Sequence, residues 1–449
     1  MKEDPRQIAV DMLLEIDREE VPCHLVIRRV LDHESGMSLR DRNFCRHLTE
    51  GTIERCIYLD YMINQVAKTG TRKMKPVIRW IIRTAAYQMW FMSVPDRAAV
   101  SEALRITERK GCGPLKGFVN GVLRNLSRRK DTLCLPDRAA DPARYLSIRY
   151  SLPLPIVNRW ITRYGKEKTE AAAASFEKKP PLTVRFRENA AALTEELESG
   201  GIRVTDAPYV PDARILSGVT GLEDLPAFRR GALAVQDVSS MIAVRAAGIR
   251  KSSTVLDLCA APGGKTMLAA DFAPEGRVIS RDLTNKRADL IRNGAERLQI
   301  RNVTVSCADA SVFDPEIDEA ADVVLADVPC SGLGVIGRKP DIRYRVSDAK
   351  TESLVKLQRK ILTQAIRYVK PGGTLLYSTC TIDARENEEN ARWIRGQSGL
   401  EPVALAPDLP EELREEAGGS NMLQLLPGTH RCDGFFLAKF RKGTADEFK

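Results

Sequence analysis

Through the first third of the chain, apolar residues return at helical spacing. They do so in Ile8, Val10, Met12, Leu13 and Ile16, and again in Ile53, Ile57, Met62 and Ile63. Trp80, Ile81, Ala85, Met89 and Trp90 follow, then Phe118, Val119, Val122, Leu123 and Leu126. The spacing predicts amphipathic helices. Strand alternation is missing, so residues 1–135 are expected to form an all-α bundle domain. Prolines in DTLCLPDRAADPARYLS and SLPLPIVNRW make residues 136–179 a connector, with a helix from about 155 to 175. After the boundary KKPP, PLTVRF reads as a strand, TEELESG as a helix ending in glycine, and GIRVTDA as a strand. Residues 180–230 are thus expected to be a small α/β subdomain. From 231 to 443 the strand-like runs TVLDLC, RVISRD, VTVSCAD, ADVVLADVP, TLLYSTC and FFLAKF alternate with helical stretches. Such alternation predicts a Rossmann-like α/β domain with a mainly parallel, doubly wound sheet.

Composition narrows the class. The chain has 449 residues, too many for one ordinary domain. Hydrophobic residues at 43% and charged residues at 29% describe a core-forming chain. No apolar run reaches the roughly 18 residues of a membrane span. The charged opening MKEDPRQ is unlike a secretory signal and points to the cytoplasm. Ten cysteines show no CxxC pair, and the four histidines lie away from any cysteine cluster, so no metal site is expected. The net charge of +9 is compatible with a polyanionic partner.

Candidate chemistry gathers at predicted strand ends, where open α/β sheets bind ligands. TVLDLC runs into CAAPGGKT and then a helix. Gly263 and Gly264 let the backbone turn tightly beside a ligand, at a helix N-terminus. The loop has neither the P-loop nor the G-x-G-x-x-G spacing. A nucleoside with a sulfonium centre fits it better than a triphosphate or dinucleotide. Asp282, 18 residues after Gly264, ends the next strand and suits ribose hydroxyls. Asp309 follows the third strand and suits an adenine amino group. Asp327 ends the fourth. Lys265 is open to two readings, structural or facing the site.

Two cysteines also sit at strand ends, Cys330 in DVPCSG and Cys380 in STCTI. Thiolates are the effective nucleophiles among neutral-pH side chains. Carbon 5 of cytosine is too poor a nucleophile to attack a methyl sulfonium unaided. Thiolate addition at carbon 6 makes it an enamine carbon. A carboxyl group beside nitrogen 3 steadies the adduct, and a base later removes the carbon 5 proton. Cys380, Asp327 and Cys330 fill these roles. Spacing and chemistry alone allow either cysteine to be the nucleophile.

Together, VLDLCAAPGGKT, Asp282, Asp309, ADVPCSGLG with RKPDIRY, and YSTCTI with ENEEN resemble the RNA cytosine-5 methyltransferases of the Nop2/NSUN/Fmu type. QDVSSM and DGFFLAKF fit the edges of that domain. The resemblance implies S-adenosyl-L-methionine as cofactor and assigns the nucleophile to Cys380. It gives Cys330 a part in product release. It implies a cofactor site of Cys259, Ala260, Ala261, Pro262, Gly263, Gly264, Lys265, Asp282, Asp309 and Asp327. RQIAVDMLLEI, DRNFCRHLTEGTIER and PLKGFVNGVLRN resemble a NusB-type RNA-binding domain. The fusion is similar to bacterial enzymes that methylate 16S ribosomal RNA, over nearly the whole chain. It implies 16S ribosomal RNA as partner, a monomer, and a small RNA-binding subdomain at 180–230. One departure is Arg281, where an apolar residue is more usual.

Other readings stay open at this stage. One is methylation of tRNA or another RNA. Another is a NusB-like assembly factor with an idle catalytic domain. A third, DNA cytosine methylation, uses the PC cysteine and needs no TC cysteine. For phosphate contact, Arg124, Arg128, Arg129 and Lys130 form one basic cluster; Arg338, Lys339 and Arg343 are the better candidates.

Overall fold

The computed structural model describes residues 4–19, 21–33, 36–397 and 399–444. The first three residues of the charged opening lie outside that set. The chain divides into two compact units. The first comprises Met1–Lys178 with Ile336–Arg345, and the second Lys179–Val335 with Val346–Lys449.

The first unit is helical, as the periodicity predicts. Its longer helices include Pro5–Glu19, Leu39–Glu54, Pro76–Phe91, Asp96–Arg109 and Lys116–Arg129. Ser38 caps Leu39–Glu54 by accepting from the Asp41 N–H, and Pro76 opens its helix where no N–H is needed. Leu13, Leu48, Ile81, Ile82 and Leu123 are fully buried together. The predicted 155–175 helix spans Leu154–Ser175, with a break at Gly165 (φ +81°).

Segment Ile336–Arg345 packs within this unit. The Asp341 carboxylate accepts from the Cys23 N–H and thiol, both at 3.0 Å. Arg343 is buried and donates to the carbonyls of Pro340 and Tyr150, each at 3.0 Å. It is therefore a structural tie, contrary to its expected role on phosphate. In the other basic cluster, Arg129 donates to the Gln65 carbonyl and Lys130 to the Met89 carbonyl.

The second unit carries two sheets. Strands β1 (Leu182–Phe186), β2 (Arg203–Asp206), β3 (Ala213–Ser217) and β4 (Leu233–Val235) pair antiparallel in the order β2-β3-β1-β4. The sequence pattern predicts β1 and β2 but not β3 or the three-residue β4. The larger sheet is built from β5 (Thr254–Asp257), β6 (Arg277–Asp282), β7 (Val303–Cys307), β8 (Ala321–Asp327), β9 (Val369–Thr379), β10 (Leu400–Pro402), β11 (Met422–Leu425) and β12 (Phe435–Lys442). Its order is β10-β12-β9-β8-β5-β6-β7, with β11 also on β12. Strands β5 to β9 pair parallel, while β10, β11 and β12 add an antiparallel edge.

Alternate residues of the central strands feed two cores. Val323, Leu325 and Leu376 pack on one face with Val255 and Leu437. Val324, Ala326, Leu375 and Tyr377 pack on the other with Leu256 and Phe436. Burial on both faces is why these strands read as continuous apolar runs. The parallel register leaves the ends of β5, β6, β8 and β9 side by side, and this edge carries the candidate chemistry.

Candidate active site

The loop after β5 is shaped by its own sequence. Gly263 has φ +110°, a conformation that L side chains rarely adopt, and Gly264 opens the helix Gly264–Phe272. Asp282, at the end of β6, is buried and accepts from the Ala261 N–H at 2.9 Å. Arg287 Nε donates to the same carboxylate at 2.6 Å, and its Nη2 reaches the Ala261 carbonyl at 3.1 Å. Asp282 thus fixes the loop as well as flanking it. Arg281 turns away from that carboxylate and pairs with Asp314 at 2.7 Å. The departure at this position is a tie on the far side of the strand. Asp309 lies exposed two residues after β7. Ser311 donates to it through both N–H and hydroxyl, which holds its carboxyl below the ordinary range.

Sequence reasoning passed over Asp257, the last residue of β5. It is fully buried, and burial pushes its carboxyl up to about 7, although Thr266 Oγ1 donates to it at 2.7 Å. Its Oδ1 has no partner among the described residues, and neither amide atom of buried Gln236 has one. Buried polar atoms without partners call for an explanation. A Cβ built on Gly264 would lie 3.6 Å from the Gln236 side chain, so these atoms border the loop. A ligand bearing hydroxyl, amino and carboxylate groups, as S-adenosylmethionine does, supplies the matching partners.

The reactive edge lies on β8 and β9. Their register aligns Asp327 with Ser378. Ser378 Oγ donates to Asp327 Oδ1 at 3.0 Å, and Lys265 Nζ donates to Oδ2 at 2.7 Å. Burial works against the Lys265 ammonium, but Asp327 and then Asp257 more than offset it, so its pKa lies above the ordinary value. Lys265 therefore faces the site, carrying charge. The Cys330 and Cys380 sulfurs are 3.2 Å apart. The contact with Cys380, burial, and the carboxylates of Glu386 and Asp327 push the Cys330 thiol well up. The two sulfurs are within hydrogen-bond reach of each other, and either can donate. Burial also raises the Cys259 thiol, leaving it a neutral wall of the loop.

Polar residues from the ENEEN run hold these loops, a role that sequence reasoning did not assign. Asn387 accepts from Thr379 Oγ1 at 2.6 Å and donates to the Thr381 carbonyl at 3.0 Å, gripping both neighbours of Cys380. Glu386 grips Ser331. Gly334 N–H donates to the Cys380 carbonyl at 3.0 Å. The available signal was the spacing of Glu386 and Asn387 four and three residues before Asn390, at the start of a helix that buries Asn390, Ala391 and Ile394.

Comparison with known proteins joins this geometry to a family. The 16S rRNA methyltransferase RsmB/F profile matches residues 246–441, and the NusB family profile matches residues 3–128. A curated relative, "Probable ribosomal RNA small subunit methyltransferase B" of Bacillus subtilis (strain 168), is 34% identical over 98% of this chain and 99% of its own. The chain belongs to the RsmB/F methyltransferase family. The ribosomal RNA small subunit methyltransferase B of Sodalis glossinidius (strain morsitans) is 32% identical, over 92% of each chain. Among solved structures, that of PH0851 superposes with a TM-score of 0.78 at 25% identity, covering 98% of this chain and 100% of that one. A methyltransferase homolog protein from Pyrococcus horikoshii gives 0.57 at 26% identity, covering 66% and 97%. Membership makes this chain an S-adenosylmethionine-dependent methyltransferase with a NusB-type N-terminal domain. Among the described residues no group of side chains could hold a metal ion, and no helix is long and apolar enough to cross a membrane.

Proposed function

We propose that this protein methylates carbon 5 of a specific cytosine in 16S ribosomal RNA through a covalent bond between Cys380 and carbon 6. The carrying observation is the sulfur pair Cys330–Cys380, 3.2 Å apart, at the ends of adjacent parallel strands beside the Lys265–Asp327 ion pair. Supporting it are the names of relatives that align over nearly the full chain.

The Cys380 thiolate adds to carbon 6 as nitrogen 3 takes a proton through Asp327, which the Lys265 ammonium resupplies across their hydrogen bond. Lys265 and Ser378 fix Asp327 for that contact. S-adenosylmethionine supplies an electrophilic methyl group to the enamine carbon. Cys259 to Lys265, with Asp282, Asp309 and Asp327, form its binding edge, and Asp282 and Asp309 suit the ribose and adenine. Once the Cys380 sulfur is bonded to carbon, two causes that raise the Cys330 thiol disappear: the hydrogen bond with Cys380 and the neighbouring charge. The partly exposed Cys330 thiol then gives its proton to solvent, and the resulting thiolate is the base for the carbon 5 proton.

The target base must leave its stack to reach Cys380, which costs least in an unpaired loop. Residues 180–230 serve as a small RNA-binding subdomain. One chain carries both sulfurs, the carboxyl and the loop, so it acts as a monomer, in the cytoplasm where ribosomal RNA is assembled. Cys380→Ala abolishes methyl transfer from labelled cofactor to a 16S transcript. Bisulfite sequencing of ribosomal RNA with and without the gene then identifies the cytosine. Full methylation by the Cys380→Ala protein would overturn the reading.

A further inference from the structure

Cys330 is gripped on both sides by one buried acid and its amide neighbour. Glu386 is fully buried. Its Oε1 accepts from the Ser331 N–H and from Gln358 Nε2, both at 2.9 Å, and its Oε2 accepts from Ser331 Oγ. Gln358 Nε2 also donates to the Pro329 carbonyl at 3.0 Å. Asn390 Nδ2 donates to Gln358 Oε1 at 2.8 Å, which fixes the amide's orientation. Pro329 and Ser331 bracket Cys330 in the chain. The Ser331 hydroxyl further meets Thr381 Oγ1 at 2.7 Å, next to Cys380.

A carboxyl group buried this fully is costly, and an apolar side chain of similar volume would fill the space more cheaply. Burial does raise the Glu386 carboxyl, and the Ser331 and Gln358 donors oppose that rise. The donors it gathers lie on the Cys330 loop and the helix behind it. Its contacts therefore set where one sulfur of the pair stands.

We infer that Glu386 is the positioning residue for product release: through Ser331 and Gln358 it holds Cys330 within reach of the carbon 5 proton of the adduct. The inference rests on the covalent reading above. In that step the proton passes from carbon 5 to the Cys330 sulfur, which acts as thiolate after its own proton has gone to solvent. The carbon–hydrogen electron pair forms the carbon 5–carbon 6 double bond. The carbon 6–sulfur bond breaks, and Cys380 leaves as thiolate. Displacing Cys330 stalls this step while leaving thiolate addition and methyl transfer largely intact.

The test uses the full-length protein, S-adenosylmethionine and a 16S ribosomal RNA transcript, with denaturing gels to detect protein–RNA adducts. Glu386→Gln keeps an oxygen for Ser331 N–H but offers an amide to the Ser331 hydroxyl. It is expected to lower multiple-turnover methylation by about tenfold or more while a denaturation-resistant adduct accumulates, as in Cys330→Ala. A folded Glu386→Gln protein with no adduct overturns the inference, whether its turnover is normal or lost. If that variant does not fold, Ser331→Ala decides: adduct accumulation supports the inference, and wild-type release overturns it. The Cys330→Ala control separates two failures. If it accumulates adduct and the Glu386 and Ser331 variants do not, only the positioning role fails. If it too accumulates none, the covalent reading itself fails.

Discussion

At the scale of single residues, the candidate chemistry depends on small groups placed where nothing larger fits. Gly334 is the plainest case. A Cβ there would lie 2.1 Å from the Gly434 carbonyl oxygen and 2.8 Å from the Cys380 carbonyl oxygen, both backbone atoms. Gly334→Ala must therefore move the Cys380 loop. We expect a loss of about 1–3 kcal/mol in stability by denaturant titration, with methylation falling further than stability explains. Asp257 gives a second prediction. Its folded pKa, about 7, lies above that of an unfolded aspartate. Its contribution to stability is full below about pH 4 and is lost as pH rises through 7. The protein without cofactor should thus lose stability across that window, and Asp257→Asn should flatten the dependence. A profile unchanged by the substitution would contradict this account of Asp257. Residue identities made the two cysteines and the strand-end acids legible from sequence. The direct meeting of the two sulfurs was not, because it is a 3.2 Å contact between residues 50 positions apart.

Elements carry the next level. Apolar runs buried on both faces mark β5, β6, β8 and β9 in the sequence, and their ends coincide with Asp257, Asp282, Asp327 and Thr379. That coincidence made most of the candidate site readable. The antiparallel edge of β10, β11 and β12 was less readable, since two of these strands have only three or four residues. The network of Glu386, Gln358, Asn387 and Asn390 was also hidden. Polar side chains at helical spacing look like a solvated face until the structure shows them buried. Arg343 misled in the opposite sense: a cation beside an active loop looked like a phosphate ligand, yet it is buried against backbone carbonyls.

At the scale of the whole molecule, a NusB-type domain and an RsmB/F methyltransferase domain share one chain with a charge of +9. The basic cluster at the end of the NusB-type domain is partly committed: Arg129 and Lys130 serve backbone carbonyls. Lys68, Arg72, Lys73 and Lys75 are instead exposed, with no partner among the described residues. They surround buried Thr71 and Met74, and Asn64 accepts from the Thr71 N–H at 2.8 Å, so the segment is anchored. RNA affinity should fall with salt, and neutralising these four should reduce the slope of log affinity against log salt by roughly three. An unchanged slope would remove the segment from the RNA contact.

The covalent step is tested most directly by trapping. A 16S transcript containing 5-fluorocytosine carries fluorine at carbon 5 in place of the proton that release must remove, so the adduct persists after methyl transfer. Peptide mapping of that adduct should place the RNA on Cys380, with none formed by Cys380→Ala. An adduct on Cys330 would contradict the assignment of the nucleophile.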